Sequence, residues 1–238
     1  MASNETPDQP TSYLASIASA VQRNALALGV FAVLTAGAIA LTQSATKQKI
    51  SDNREQARAK ALFQIVPQHQ HDNDLLHDNV QLHRSEALGY QGPVDVYRAR
   101  SNGQIHTVIL PVIAPDGYTG NIDLIVGIRI DSSVAGVRVL RHQETPGLGD
   151  KVDIKKSDWV LGFDGQQLNG DSDPEWAVAK DGGRFDQFTG ATITPRAVVG
   201  AVKQAILTFR QHQALLLAEP PIEPSAETTR TTEANDNG

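Results

Sequence analysis

An uncharged apolar run near the start of the chain limits what this sequence can fold into. The run ALALGVFAVLTAGAIAL extends from Ala25 to Leu41, and Thr35 is its one hydroxyl-bearing residue. As a helix, a run of this length spans about 25 Å, close to the hydrocarbon thickness of a bilayer at about 30 Å. Neighbouring residues can lengthen the helix into the interface, so we predict a single transmembrane anchor over residues 21–43.

The residues before this run argue against a cleaved signal peptide, although the small residues ahead of Gln43 would suit a peptidase. A signal peptide begins with a short cationic region. Here Glu5 and Asp8 are acidic, and Arg23 is the one basic residue before the run. We therefore predict an anchor that is retained in the mature protein and contacts membrane lipid.

Charge counting gives a first prediction of orientation. Lys and Arg are enriched on the cytoplasmic side of membrane helices. The leading side of the anchor carries Arg23, whereas the trailing side carries Lys47, Lys49, Arg54 and Arg58. By this rule alone, the large domain that follows the anchor would be cytoplasmic.

The residues after the anchor are predicted to continue it as a helical stalk. Few helix breakers occur there, and Ala57, Ala61 and Ile65 recur at the i, i+4 spacing of one helix face. Pro67 then favours the end of the helix. One long helix is therefore expected to cross the membrane and extend beyond it.

The chain as a whole divides into five predicted regions. Apolar residues make up 40% of the sequence, slightly less than in a fully globular chain, and both ends are polar. The last residues are acidic and rich in Pro, Ser and Thr, which favours disorder. The regions are a polar N-terminal segment (1–20), the anchor (21–43), the helical stalk (44–67), a folded domain (68–217) and a disordered acidic tail (218–238).

The middle of the folded domain is predicted to form an antiparallel sheet. VDVYRAR and QIHTVILPVI flank Asn102-Gly103, and an Asn-Gly pair between such runs is a strong hairpin signal. GYTGNIDLIVGIRI follows, and a turn at residues 131–133 leads into VAGVRVLRH. KKSDWVLGF is predicted to form a short helix, and RAVVGAVKQAILTFRQHQALLL a long terminal helix. Strands followed by helices indicate an α+β domain.

Composition excludes several kinds of site. The chain has no cysteine, which rules out disulfides, thiolate-ligated zinc, iron–sulfur clusters and a cysteine nucleophile. Its net charge of −6 argues against nucleic-acid binding. Metal-ligating residue types do cluster in one stretch, but it follows a helix end and no second cluster supports it, so we predict a polar loop and no metal site. These residues are His69, His71, Asp72, Asp74 and His77.

The stretch FDQFTGATITPRAVVGAV combines hydroxyls, small residues and a helix start. Pro195 suits the first turn of a helix and Thr194 its N-cap, which leaves Thr192 just outside the helix. Unpaired N–H groups and the dipole at such a start favour a phosphate, and Gly190 and Ala191 leave room for a bulky group. An ordinary helix cap would use the same residues, so both roles stay open on these grounds.

At these residues the chain resembles a known family. Residues 186–192, DQFTGAT, match the D-x-x-[ST]-G-A-T pattern of covalent FMN attachment. The segments APDGYTG, ETPGLGDKV, SDW and KDGGRFDQFTGATITPRAVV resemble, in this order, the G subunit of the Rnf (Rsx) ion-translocating electron-transport complex. The single anchor and ALFQIVP resemble it too. The resemblance extends from the anchor to about residue 212.

The resemblance implies a cofactor and its attachment site. In that family FMN is joined through a phosphoester to the last threonine of the pattern, here Thr192. A flavin transferase, which uses FAD and magnesium, forms the bond and releases AMP. Asp186, Thr189, Gly190 and Ala191 surround the acceptor, and Asp186 is expected to help the transferase recognise or activate the site.

A second loop is implied to contact the flavin ring. In this family the loop Glu144-Thr145-Pro146-Gly147-Leu148-Gly149 comes near the isoalloxazine. Thr145 would supply a hydroxyl and Leu148 an apolar contact to the ring. A plain turn that closes a strand is the alternative.

The resemblance implies an electron-carrying role without catalytic residues of its own. The chain would relay electrons inside a complex that couples electron transfer between ferredoxin and NAD to ion translocation. Its partners would be the other membrane subunits of the complex. The family also implies the bacterial inner membrane and a periplasmic flavin domain, against the charge count. We follow the family because Glu55 lies among the basic residues and partner subunits can fix topology.

Two other functions stay open. The C subunit of a sodium-pumping NADH:quinone reductase shares the FMN pattern, although the sequence of residues 180–199 favours the Rnf type. A non-redox, membrane-anchored assembly or binding protein would use the threonine only as a helix cap. Fluorescence that stays with the denatured chain would distinguish a flavoprotein from this last class.

Overall fold

The computed structural model describes residues 10–218. The chain divides into two compact units between Gln56 and Ala57. Residues 219–238 of the predicted disordered tail and residues 1–9 of the predicted polar segment lie outside the described residues. The described residues form two α-helices, five strands and several short 3₁₀ helices.

The first helix, α1, runs from Pro10 to Ile65 over 56 residues. From Ile17 onwards it is long and apolar enough to cross a membrane, with a mean hydropathy of 2.2 over an 18-residue window. The apolar side chains of that window are exposed to the surroundings. Thr35 donates its hydroxyl to the Phe31 carbonyl at 2.9 Å, which satisfies this polar group within the helix. The predicted N-terminal apolar helix is confirmed.

The second unit is built on one antiparallel sheet in which neighbouring strands are consecutive in the chain. The sheet therefore forms a meander, as the short predicted turns require. The first strand, β1, is missing from the sequence-based prediction because its alternation of polar and apolar residues extends over only four positions. The strands are β1 (Asn79–Leu82), β2 (Val94–Ser101), β3 (Gln104–Ala114), β4 (Ile122–Arg129) and β5 (Val134–Arg141).

Two tight turns fix the register of this meander. Asn102 and Gly103 have φ of 52° and 77° between β2 and β3, so the predicted Asn-Gly hairpin is confirmed. Ser132 has φ of 67° at the turn between β4 and β5. Its neighbour Asp131 accepts hydrogen bonds from the Ser133 N–H and hydroxyl, which stabilises that turn.

The larger core lies on one face of the sheet, beneath the terminal helix. This helix, α2, runs from Ile193 to Leu216. Val198, Val202, Ile206 and Phe209 form its fully buried face, as its predicted periodicity requires. Opposite them lie alternate side chains of β3 and β4, including Val108, Leu110, Val112, Leu124, Val126 and Ile128.

The other face of the sheet is covered by the end of α1. Leu62 and Ile65 pack there against Ile109 and Ile125, which point away from the larger core. Gly127 allows this contact, because a Cβ atom at that position would overlap Cγ2 of Ile65. The end of the predicted stalk is therefore part of the folded unit, and the sheet is buried on both faces.

An aromatic cluster closes the larger core near the start of α2. Phe163 stacks on Phe185, and Trp176 meets Phe185 edge to face. Trp176 donates to the Val199 carbonyl at 3.1 Å, and Trp159 donates to the Asp186 carbonyl at 2.8 Å. Both tryptophans therefore have packing roles: Trp159 ties the DQFTGAT segment to the body of the domain, and Trp176 is bonded to α2. Short 3₁₀ helices in this half span Gly149–Val152, Asp158–Phe163 and Ala179–Asp181.

The histidine-containing stretch folds as a surface loop whose polar groups bind one another. His77 pairs with Asp74 at 2.8 Å, and His71 contacts the Pro67 carbonyl at 3.2 Å. Asp72 accepts the N–H of Asn102. Among residues 10–218, no group of three or more His, Asp and Glu side chains is arranged to hold a metal ion.

Candidate functional site

A cavity of about 370 Å³ opens at the start of α2. Three segments form its walls: the loop between β3 and β4, the loop that follows β5, and the turn that leads into α2. They bring together residues far apart in sequence. The lining residues are Tyr118, Glu144, Thr145, Leu148, Gly149, Gly190, Ala191, Thr192, Ile193 and Thr194.

Glu144 is buried in the wall of this cavity, with 4% of its surface exposed. Its Oε1 atom accepts the N–H and the hydroxyl of Thr119, at 3.1 and 3.0 Å. Its Oε2 atom accepts the hydroxyl of Thr194. A buried carboxylate is tolerated when donors surround it, and here donors come from both neighbouring segments.

These donors decide the charge of Glu144. Burial raises the pKa of the carboxyl, but the hydrogen bonds from Thr194 and Thr119 outweigh it, and the net pKa lies below its ordinary value. Glu144 is therefore ionised at neutral pH. No Lys, Arg or His side chain is among the residues that line the cavity, so Glu144 carries the one side-chain charge in its lining.

Two glycines make room for this carboxylate. A Cβ atom at Gly149 would lie 2.7 Å from Thr194 Oγ1 and 2.8 Å from Glu144 Oε2. A Cβ atom at Gly117 would lie 2.9 Å from Glu144 Oε1 and would also overlap the Gly120 carbonyl. Gly117 belongs to the motif PDGYTG and Gly149 to ETPGLGD. In each motif, the Glu144 side chain fills the space that a side chain at the glycine would need.

The loop after β5 is shaped by a turn at its start. The Leu148 N–H donates to the Thr145 carbonyl at 3.1 Å, with Pro146 and Gly147 between them. Gly147 has φ of 79°, which the third residue of a type II turn requires. Leu148 projects from this turn with 43% of its surface exposed, next to the cavity.

The DQFTGAT segment contains a second turn of the same kind. The Ala191 N–H donates to the Phe188 carbonyl at 3.1 Å, and Gly190 has φ of 80° at the third position. Phe188 is buried in the aromatic cluster, which fixes the turn to the core. The turn delivers Thr192 directly to the start of α2.

Thr192 lies at the N-terminal end of α2 without capping it. Its backbone is already helical, with φ of −77° and ψ of −26°, and its side chain makes no capping hydrogen bond. The main-chain N–H groups of Thr192, Ile193 and Thr194 have no hydrogen-bond acceptor anywhere in residues 10–218. The cavity therefore adjoins a hydroxyl and three free amides at the positive end of a helix dipole.

The sequence-based prediction for Thr194 is wrong. Thr194 is expected to cap α2, but the helix begins one residue earlier, at Ile193, and Thr194 is fully buried inside its first turn. Its hydroxyl is directed to Glu144 instead of a backbone N–H. Pro195 does lie in the first turn, as its missing N–H favours.

The structure brings most of the predicted site residues together. Six of them line the cavity: Glu144, Thr145, Leu148, Gly190, Ala191 and Thr192. The other two, Asp186 and Thr189, do not. Asp186 and Thr189 are exposed on the adjacent surface. Sequence reasoning missed Tyr118, Ile193 and Thr194 as lining residues. The resemblance of the PDGYTG segment to the family could have indicated Tyr118 as a site residue. Nothing in that motif, however, predicts that it lies beside the ETPGLGD loop.

Comparison with known proteins identifies the family. Residues 117–207 match the FMN-binding domain family, and residues 15–65 match the family described as the RnfG N-terminal region. The cavity lies within the first of these segments, and α1 contains the second.

Full-length relatives agree with these matches. The chain is 48% identical over 202 residues to the G subunit of the ion-translocating oxidoreductase complex of Vibrio cholerae, covering 85% of this chain and 96% of that protein. The G subunit of Shewanella loihica is 46% identical over 200 residues, covering 84% and 94%. The G subunit of Pseudoalteromonas atlantica is 48% identical over 193 residues, covering 81% and 90%. The chain therefore belongs to the G-subunit family of ion-translocating oxidoreductase complexes, as a redox component with an FMN-binding domain.

Proposed function

We propose that this chain is a membrane-anchored flavoprotein subunit that relays electrons through FMN bonded covalently to Thr192. The observation that carries the proposal is the placement of Thr192. Its hydroxyl caps nothing, it lines a cavity, and it adjoins three main-chain N–H groups that lack an acceptor within residues 10–218. Of the threonines in the DQFTGATIT stretch, Thr189 lies outside the cavity and Thr194 is committed to Glu144.

The cavity suits a phosphorylated cofactor. The cavity wall contains no Lys or Arg to neutralise a phosphate. The free amides and the dipole at the start of α2 can stabilise its charge instead. A volume of about 370 Å³ lies within the usual range for cofactor sites. Leu148, Tyr118 and Ile193 offer exposed apolar surface beside it, suited to a flat aromatic ring system.

The attachment reaction uses the Thr192 hydroxyl as nucleophile. Its oxygen attacks the FMN phosphorus of FAD, the bond from that phosphorus to the bridging oxygen breaks, and AMP leaves with that oxygen. The hydroxyl proton passes to a base of the flavin transferase, and magnesium offsets the pyrophosphate charge. Asp186 and Thr189 are exposed next to the acceptor, a position from which the transferase can recognise them.

Four further residues of the cavity wall have a role in this proposal. Thr145 and Leu148 hold the flavin ring, by a hydroxyl and an apolar contact. Gly190 and Ala191 keep the approach to Thr192 free of large side chains. Bound FMN supplies the electron chemistry, and this chain provides its position and its electrostatic surroundings. The complete complex then couples electron transfer between ferredoxin and NAD to ion translocation, with the other Rnf-type subunits as partners.

The proposal is tested by expressing the full chain together with a flavin transferase. The denatured chain should fluoresce under ultraviolet light on a gel, and its intact mass should exceed the sequence mass by one FMN less water. Thr192→Val removes the acceptor and should abolish both signals, whereas Thr192→Ser keeps a hydroxyl and should retain them. A dark wild-type band of unmodified mass would reject covalent FMN in favour of a non-redox role.

We place the anchor in the bacterial inner membrane with the flavin domain in the periplasm. The charge count around the anchor opposes this orientation, while assembly with other subunits can override it. Protease added to inverted membrane vesicles should leave residues 57–218 intact, and the same protease added to spheroplasts should degrade them. Degradation in the inverted vesicles would establish the cytoplasmic orientation instead.

A further inference from the structure

The proposed FMN cavity has a fixed negative charge in the same wall as the proposed attachment residue. Glu144 shares the cavity wall with Thr192, yet its carboxylate is buried and held by Thr119 and Thr194 from two different segments. Two glycines keep the space around it open. A phosphate site gains nothing from a nearby carboxylate, because the two negative charges repel each other.

We propose that Glu144 acts as an electrostatic positioning residue that lowers the midpoint potential of the flavin in this cavity and raises the pH at which the reduced flavin takes up its second proton. This inference rests on the proposed function, because it requires FMN at Thr192. Thr194 and Thr119 hold the carboxylate in place and ionised, and Gly149 and Gly117 admit it.

The charge balance of flavin reduction determines how this carboxylate acts. Uptake of two electrons and one proton adds one negative charge to the ring system, whereas uptake of two electrons and two protons adds none. A carboxylate in the same low-dielectric cavity repels the added charge. It therefore disfavours the one-proton product and leaves the two-proton product almost unaffected.

Several other charged groups near the cavity have hydrogen-bonding or ionic partners. His142 accepts the Glu144 N–H at its Nδ1 atom, and Asp150 accepts the Gly147 N–H. Arg196, on the first turn of α2, is held by Asp181. On the surrounding segments, Asp116, Lys151 and Asp186 are exposed, and Asp123 pairs with Arg141 at the sheet edge. Tyr118 and Glu144 line the cavity, and Glu144 is its one carboxylate.

Glu144→Gln tests this proposal with little change of shape. The glutamine oxygen can still accept from Thr119, and its amide can donate to the Thr194 hydroxyl, which both donates and accepts. The measurement is a potentiometric titration of the purified, flavinylated full chain in detergent, repeated over a range of pH. The slope of midpoint potential against pH changes where the second proton is lost.

The two curves should separate in a characteristic way. On the alkaline side of this break, Glu144→Gln should favour reduction at least tenfold, which is about 30 mV for a two-electron couple. Towards acid pH the curves should converge, and the break should move to lower pH in the variant. Glu144→Asp keeps the charge and should resemble the wild type. Curves for Glu144→Gln and wild type that coincide at every pH would overturn the inference.

Thr194→Val gives an independent test that does not depend on the Gln variant being stable. It removes one donor from the carboxylate, while Thr119 still donates its N–H and its hydroxyl and keeps Glu144 charged. This less compensated charge should move the break to higher pH, opposite in direction to Glu144→Gln. A shift to lower pH would overturn the inference. Failure of the proposed function can be distinguished from failure of this inference, because in that case the wild-type chain would carry no bound flavin.

Discussion

Gly149 and Thr194 pack so closely that a methyl group on Gly149 would lie 2.7 Å from the Thr194 hydroxyl oxygen. This contact joins the loop after β5 to the first turn of α2, and the hydrogen bond from Thr194 to Glu144 joins the same two segments. The two halves of the cavity are therefore held in register by a hydrogen bond that only a glycine permits.

Gly149→Ala should consequently destabilise the domain. The added Cβ atom must displace Thr194 or Glu144, and overpacking of this kind costs about 1–3 kcal/mol. Urea unfolding of the full chain in detergent measures the loss. Gly162→Ala is a matched control, since Gly162 has no atom within 4 Å of the added Cβ position. Equal stability of the two variants would show that the cavity wall adapts freely.

Gly127→Ala should loosen the end of α1 from the sheet. The new methyl group would overlap Cγ2 of Ile65, and no flexible polar tip is there to move aside. Ile65→Leu removes that γ-methyl branch and should restore part of the lost melting temperature in the double variant. If the two substitutions change the melting temperature additively, direct contact between the new methyl group and Ile65 is not the cause of the destabilisation.

Much of the fold is predictable because local signals carry it. The Asn102-Gly103 turn, the strand alternation of β3 and the apolar stripe of α2 each need only their own neighbours. The predicted α+β architecture with a long apolar N-terminal helix is confirmed. The four residues of β1 escape prediction because their pairing with β2 depends on the folded sheet and not on their own pattern.

Several residues that line the cavity are predictable from the sequence, but their contacts are not. Motif resemblance indicates Thr192 and the Glu144 loop, and the structure brings them to one cavity. Local reasoning fails at Thr194, because a threonine before proline at a helix start ordinarily caps the helix. Its actual partner, Glu144, is 50 positions away in sequence, and such a tertiary hydrogen bond leaves no local signal.

Acid should remove the stability that Glu144 contributes. Its folded-state pKa lies below the ordinary value of 4.5, so the contribution is complete above that value and is lost as the pH falls through the lower folded-state pKa. The difference in melting temperature between wild type and Glu144→Gln should shift in favour of the variant over this acid range. A difference that stays constant with pH would show that hydrogen bonding does not lower the pKa.

Thr192→Val and Thr194→Val should have opposite consequences, although the residues are two positions apart. Thr192 makes no capping bond, so its hydroxyl adds little stability, and the free energy of unfolding of the unflavinylated chain should change by less than about 0.5 kcal/mol. Flavin incorporation should nevertheless be lost.

Thr194→Val should instead leave flavin incorporation possible and lower stability by about 1–3 kcal/mol, because a buried carboxylate loses one of its donors. Both variants are compared in urea unfolding and by intact mass after coexpression with the transferase. The reverse pattern would make Thr194 the flavin acceptor and Thr192 a structural residue. Such a result would require the first turn of α2 to open, since Thr194 is fully buried in the folded chain.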